Sequence, residues 1–183
     1  MCEDCLARLE SSYSEHSKEL GDLEVIAPFT YEAPASEMVV AFKYGGMRSL
    51  AGVMAPFMAR RLGGPGRFRF LAPVPLHPAR VRERGFSQTE LLARAISEIL
   101  GIPVLRGLRR RRYTTLQVEL SGEERGANVR GAFRYKGPEI QGPVLVVDDV
   151  ATTGSTMAEV AGALPCESTG LVFALANPGQ DSR

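Results

Sequence analysis

Apolar positions follow two rhythms along this chain, and the alternation between them predicts a βα architecture. Phe68–Val74, Val144–Val147 and Thr169–Leu175 are near-continuous apolar runs, the pattern of strands covered on both faces. Elsewhere apolar residues recur on one helical stripe. The stretch from Ser36, a candidate cap, to Lys43 buries Val39 and Phe42 and stops at Gly45-Gly46. Ser49 to Leu62 aligns Leu50, Val53, Met54, Phe57 and Met58. Pro56 within it predicts either a kink or a late start of the regular helix. After Phe86 the signals are densest. Ser87 and Glu90 form a capping box, and Phe86 and Leu91 suit a hydrophobic staple. Leu92, Ile96, Ile99 and Leu100 supply a buried face, Glu90 and Arg94 pair at i,i+4, and Gly101 with Pro103 ends the helix. Ala27–Tyr31 and Ile102–Leu105 read as short strands, and Gly131–Tyr135 as a return to the sheet. Strand, crossover helix, strand sets the class as α/β with a mostly parallel sheet flanked by helices.

The stretch Val144–Thr156 carries the clearest chemistry. Its aliphatic run ends in Asp148-Asp149, followed by a small, hydroxyl-rich turn, Ala151-Thr152-Thr153-Gly154-Ser155-Thr156. Met157, Val160, Ala161 and Leu164 then repeat as one face of a helix. Successive turn N–H groups and the positive helix end suit a phosphate dianion. Gly154 allows close backbone approach or a positive φ. The two carboxylates repel a phosphate but accept hydrogen bonds from neighbouring ribose hydroxyls.

Two further segments point to anions. Pro73-Val74-Pro75-Leu76-His77-Pro78 is too proline-rich for regular helix, so a rigid connection is expected at a strand's carboxyl end. Ligands bind at that end of open α/β sheets. Arg80, Arg82 and Arg84 follow it with cations for a pyrophosphate. From Arg106 to Asn128 the chain is polar and begins with the basic run Arg109–Arg112. Thr114, Thr115, Gln117, Arg125 and Asn128 offer hydrogen bonds there without a core face to serve, as a loop closing over an anion would. The same cations beside Tyr113 allow contact with single-stranded DNA, although no spaced aromatic platform accompanies them. Lys43-Tyr44-Gly45-Gly46 reads equally as a ligand contact or as a helix stop.

Composition narrows the field little. The 183 residues suit one domain, and a net charge of +1 gives no global nucleic-acid footprint. No apolar run is long enough to span a bilayer and no leader pattern opens the chain, so a cytoplasmic location without membrane insertion is expected. An odd number of cysteines, 3, argues against a disulfide framework. Cys2 and Cys5 form half of a zinc motif, but only His16 and the remote Cys166 remain to complete it, so zinc is not expected. Residues 6–20 are polar and read as a loosely attached appendage, and Asn177–Arg183 as a tail.

The stretch Val144–Thr156 resembles the phosphoribosyl pyrophosphate (PRPP) loop of type I phosphoribosyltransferases. Phe42-Lys43-Tyr44, Pro73–His77, Arg84-Gly85-Phe86-Ser87-Gln88, Leu91-Leu92-Ala93, Thr115-x-Gln117, Arg125-x-x-Asn128-Val129-Arg130 and Ala132-Phe133 resemble the ComF family. That phosphoribosyltransferase-like group is associated with bacterial DNA uptake. The resemblance implies a type I phosphoribosyltransferase fold over 27–183, with a flexible loop and a small hood from residues 27–62. Residues 1–26 would be an appendage, the remnant of a Cys-rich zinc module. It implies that Asp148 and Asp149 hold the ribose hydroxyls as the catalytic pair, and that Ala151, Thr152, Thr153, Gly154, Ser155 and Thr156 hold the 5′-phosphate. Pro75, Leu76, His77, Pro78 and Ala79, with Arg80 and Arg84, would hold the pyrophosphate. The flexible loop would use Arg112, Thr115, Gln117, Arg125 and Asn128. Mg²⁺ would arrive through PRPP, with Asp148 and Asp149 the candidate side chains near it. The implied activity is phosphoribosyl transfer to a nitrogenous acceptor. The alternatives are a module binding competence proteins or single-stranded DNA without catalysis, and a PRPP sensor. Dimers are common among relatives of this fold.

Overall fold

A computed structural model of the chain describes residues 2–111 and 131–176. In order these form α1 (Glu3–Ser11), β1 (His16–Leu20), β2 (Leu23–Ala27), β3 (Phe29–Thr30), α2 (Ala35–Tyr44), α3 (Leu50–Leu62) and β4 (Phe70–Pro73). Then come α4 (Pro78–Arg84), α5 (Gln88–Leu100), β5 (Leu108–Arg110), β6 (Phe133–Tyr135), β7 (Val144–Ala151), α6 (Ser155–Gly162) and β8 (Ser168–Leu175). The main sheet runs β1-β2-β8-β7-β4, with β3 also pairing β8. Only β1 is antiparallel, to β2; β2, β3 and β7 pair β8 in parallel, and β4 pairs β7 in parallel. The class is therefore α/β, a mixed and mostly parallel sheet flanked by helices.

The aliphatic run of β7 sits inside because both its faces are covered. Leu145 and Val147 point to one core with Val39, Phe42, Met54, Met58, Leu92 and Ile96 of α2, α3 and α5. Val144 and Val146 point to the other with Met157 and Val160 of α6 and Phe133 of β6. A period-2 strand feeding two layers is what a continuous apolar run requires. The carboxyl end of β4 consequently lies beside Val147, the residue just before the acidic pair.

Several local expectations are corrected. Residues 6–20 are not loosely attached: Leu9 of α1 is fully buried in the core, and β1 pairs with β2 along five residues. Their apolar positions are too sparse to show a period; Leu9 and Leu20 are buried while Leu6 is left 41% exposed. Ala27–Tyr31 is broken at Pro28, which has no N–H, into β2 and β3. Helix α2 begins at Ala35 after Pro34, without a Ser36 cap. Helix α3 is continuous from Leu50 with Pro56 exposed within it, so the late start does not occur. Ile99 of α5 is 50% exposed rather than part of the buried face. Ile102–Leu105 contributes one parallel bridge, Leu71 to Val104, instead of a strand. Phe133–Tyr135 does not rejoin the main sheet but pairs antiparallel with β5 as a separate ribbon. Pro78 opens helix α4 where only a rigid connection was expected. A first helical position does not use its N–H, so proline fits there. Arg112, Thr115, Gln117, Arg125, Asn128 and the Asn177–Arg183 tail lie outside the described residues. Among the described residues no helix is long and apolar enough to cross a membrane.

Candidate functional site

Strand β7 carries the acidic pair at its carboxyl end and remains paired with β8 beyond it, Val150 to Ala174 and Ala151 to Leu175. The carboxylates fold back on their own backbone. Asp148 Oδ1 accepts from the Asp149 N–H at 2.8 Å, and Asp149 Oδ1 accepts from the Val150 N–H at 3.0 Å. Asp149 is 4% exposed, and its Oδ2 lies 2.9 Å from Lys43 Nζ. Lys43 stands in the last turn of α2, where a cation also complements the helix dipole.

Charge is unevenly balanced around this pair. Burial, and then the negative charge of Asp149, push the Asp148 carboxyl well above the usual carboxylate range, against the pull of Lys43. Burial draws Lys43 down, but Asp149 and Asp148 outweigh it and hold the ammonium above its ordinary value. Burial lowers Arg110 of β5; Asp148 opposes that shift and Arg80 adds to it. Arg80, Arg110 and Asp148 thus share one electrostatic neighbourhood, although they come from three separate elements.

Beyond Ala151 the chain turns through Thr152 and Thr153 to Gly154, which caps α6 at φ +73°. The Thr153 and Ser155 hydroxyls are 2.9 Å apart. A Cβ on Gly154 would stand 2.5 Å from Leu20 Cβ, so β1 forms the wall of this turn. Only glycine meets both the positive φ and the close approach. Ser155 and Thr156 open the helix, with Met157 buried beneath.

The proline-rich segment runs alongside. The Val74 N–H donates to Val147 O at 2.9 Å, and the Thr89 hydroxyl donates to Val74 O at 2.8 Å. Pro75, Leu76 and Ala79 are half-buried and Pro78 is exposed. His77 caps α4, its Nδ1 accepting from the Ala79 N–H at 3.2 Å. Arg80 and Arg84 reach a cleft of about 290 Å³ lined also by Lys43, Tyr44, Gly46 and Glu83. Arg80 pairs with Glu83 at 3.1 Å, and the Arg84 guanidinium lies 5.2 Å from the Tyr44 ring centre. The structure thus sets the acidic pair beside Lys43 and next to the start of the proline-rich segment, with the Gly154 turn following on the same strand. Tyr44 was a candidate ligand contact in the sequence and Arg110 part of its basic run, but neither the Arg84–Tyr44 contact nor the placement of Arg110 near Asp148 was legible there. Arg110 is hidden within a like-charge run, and Tyr44 follows directly on Lys43.

Fold and site define an α/β protein with an acidic pair, a glycine turn and a cation-lined cleft at the carboxyl edge of a mostly parallel sheet. Sequence comparison then gives the family. "DNA utilization protein YhgH" of Salmonella typhi is 36% identical over 139 residues, 72% of this chain and 61% of that protein. "Competence protein F" of Haemophilus influenzae is 38% identical over 94 residues, 49% of this chain and 41% of that protein. "Competence protein ComFC" of Streptococcus pneumoniae is 30% identical over 134 residues, 73% of this chain and 58% of that protein. The chain belongs to the ComF family. Its match spans about three fifths of the first of these relatives' length. No profile of a known protein family matches the chain.

Proposed function

We propose that the chain binds PRPP together with Mg²⁺ and transfers the phosphoribosyl group to a nitrogenous acceptor, releasing pyrophosphate. The observation that carries this reading is the continuity of β7 into the Gly154 turn. One strand presents two carboxylates and, immediately after them, a hydroxyl-rich helix N-terminus. That spacing matches a sugar diol followed by a phosphate ester. Asp149, already charge-paired, accepts hydrogen bonds from the ribose hydroxyls with Asp148. Thr152 to Thr156 take the 5′-phosphate through N–H and hydroxyl donors. Arg110, whose charge feels both Asp148 and Arg80, would serve with Arg80 as a counter-charge for the leaving pyrophosphate. Burial and the like charge of Asp149 raise the Asp148 carboxyl above its usual range, and a dication would oppose that shift, so the adjacent Asp148 and Asp149 fit a nearby Mg²⁺. When bound, that ion would supply charge neutralisation for pyrophosphate. The acceptor nitrogen forms the bond to C1 of the ribose as the C1–O bond breaks and its electron pair leaves with pyrophosphate. In the cell this activity would serve DNA uptake, the role that the relatives' competence names suggest.

Calorimetric titration with PRPP and Mg²⁺ tests the reading. Saturable binding is expected, and Asp149→Asn should weaken it about tenfold to a hundredfold without unfolding the domain, the scale of a hydrogen bond to a charged group. A folded protein giving no binding heat at any Mg²⁺ concentration would end the proposal.

A second reading, binding of single-stranded DNA, is favoured by the β5–β6 ribbon. Arg109 lies directly opposite Arg134, and both share a cleft of about 360 Å³ with Arg111, Lys136 and Gly107. Like charges facing across a strand pair repel, and a polyanion relieves this. Salt-dependent binding of an oligonucleotide should lose about 0.7 in log–log slope for each phosphate contact removed, as in Arg109→Gln with Arg134→Gln. An unchanged slope would exclude the ribbon.

A further inference from the structure

The cleft beside Asp149 contains an arrangement that draws Arg84 away from the pyrophosphate role the resemblance gives it, leaving that role to Arg80 and Arg110. Tyr44, the last residue of α2, is 75% exposed, an unusual setting for a large ring. Its position is imposed by the glycines behind it. A Cβ on Gly45 would stand 2.6 Å from Ala41 O, and Gly46 has φ +67°. The chain therefore turns away directly after Tyr44 and leaves the ring standing at the cleft. On it lies the guanidinium of Arg84, 5.2 Å from the ring centre.

Charge accounting within the cleft singles out Arg84. Lys43 is paired with Asp149 and Arg80 with Glu83. Arg84 has no carboxylate within ion-pair distance among the described residues; its charge meets only the π-face of Tyr44. A planar guanidinium fixed on a ring presents in-plane N–H donors to a carboxylate. An exposed aromatic ring offers a stacking surface to a flat ligand. The cleft's volume of about 290 Å³ suits a single ring with a substituent, and Lys43 ties it to the carboxylate proposed to hold the ribose diol. Since C1 of a ribose adjoins its diol, a ring seated here stands next to the reacting carbon.

We infer that the Tyr44–Arg84 cleft binds a planar nitrogen heterocycle bearing one carboxylate, the ring stacked at Tyr44 and the carboxylate held by Arg84. Naming that ligand the acceptor rests on the phosphoribosyl-transfer reading above; its binding does not. As acceptor, its ring nitrogen supplies the electron pair of the new N–C1 bond. A pyridine-type nitrogen has no proton to lose, and a ring N–H releases its proton to solvent.

The test uses the full chain and two matched panels, pyridine and pyrimidine monocarboxylates and their carboxamides. Binding is followed by saturation-transfer NMR and calorimetry, with and without PRPP and Mg²⁺. At least one carboxylate should bind, and about fivefold or more tightly than its carboxamide, the scale of one charge-assisted hydrogen bond. Tyr44→Leu should weaken it about tenfold, the scale of one ring stack. Arg84→Gln should erase the preference for carboxylate, and Tyr44→Leu should leave PRPP affinity unchanged. Equal affinity for the two panels, or binding that survives both substitutions, overturns the inference. PRPP binding with no heterocycle bound in either panel overturns it alone and leaves the transfer reading standing. Heterocycle binding in a protein that does not take PRPP supports the cleft as a ligand site and removes the transfer reading.

Discussion

Asp148 sits beside a like charge that itself engages the counter-ion between them. Lys43 is committed to Asp149, and Asp148 is left partly buried beside a like charge, with its carboxyl pushed above the usual range. The folded state therefore keeps a proton that the unfolded chain releases. Stability contributed at this position is full below the ordinary carboxylate range and falls as pH rises towards the raised value. Asp148→Asn should consequently raise the melting temperature at neutral pH, with the gain shrinking as pH is lowered through that window. About 1 kcal/mol corresponds to roughly 2–4 °C in a domain of this size. Thermal melts at several pH values check this, and a constant difference across pH would show that charge is not the cause. The residue types at Asp148, Asp149 and Gly154 were legible in the sequence because they sit in one contiguous stretch. The partnership of Lys43 with Asp149 was not, since it joins residues from different layers of the fold.

At the scale of elements, β7 and α6 form one device, and Gly154 is its joint. Gly154→Ala would force a side chain into the left-handed region and against Leu20. The strain should cost about 1–3 kcal/mol of stability. Loss of PRPP affinity should exceed what that destabilisation explains, because the turn's N–H groups are re-aimed. Urea denaturation and calorimetry on the same variant separate the two effects. The long, doubly periodic elements were readable from pattern alone, as α5 and β7 show. Short ones were not. Helix α4 was hidden by Pro78, whose constraint suits a first helical turn as well as a loop. The two-strand ribbon joins segments separated by residues 111–132, so its pairing has no local signal.

For the whole molecule, the N-terminal segment is the main revision. With Leu9 fully buried and Leu20 packed on the Gly154 turn, α1 and β1 belong to the fabric of the fold. Leu9→Ala should lower stability by about 2–5 kcal/mol, the range for a buried leucine, whereas a loosely attached appendage would tolerate it. The midpoint of urea denaturation decides between them. Apolar runs give the α/β class because burial on both faces leaves a plain signature. Strand order and the wall that β1 builds beside the turn depend on contacts remote in sequence.

The central claim is that one site receives both ends of PRPP. Phosphorus-31 NMR of PRPP with Mg²⁺ resolves the 5′-phosphate from the pyrophosphate groups. Addition of the protein should shift or broaden both sets of signals. Gly154→Ala should restore chiefly the free 5′-phosphate signal, and Arg80→Gln chiefly the pyrophosphate signals. Spectra unchanged by the folded protein would contradict the account.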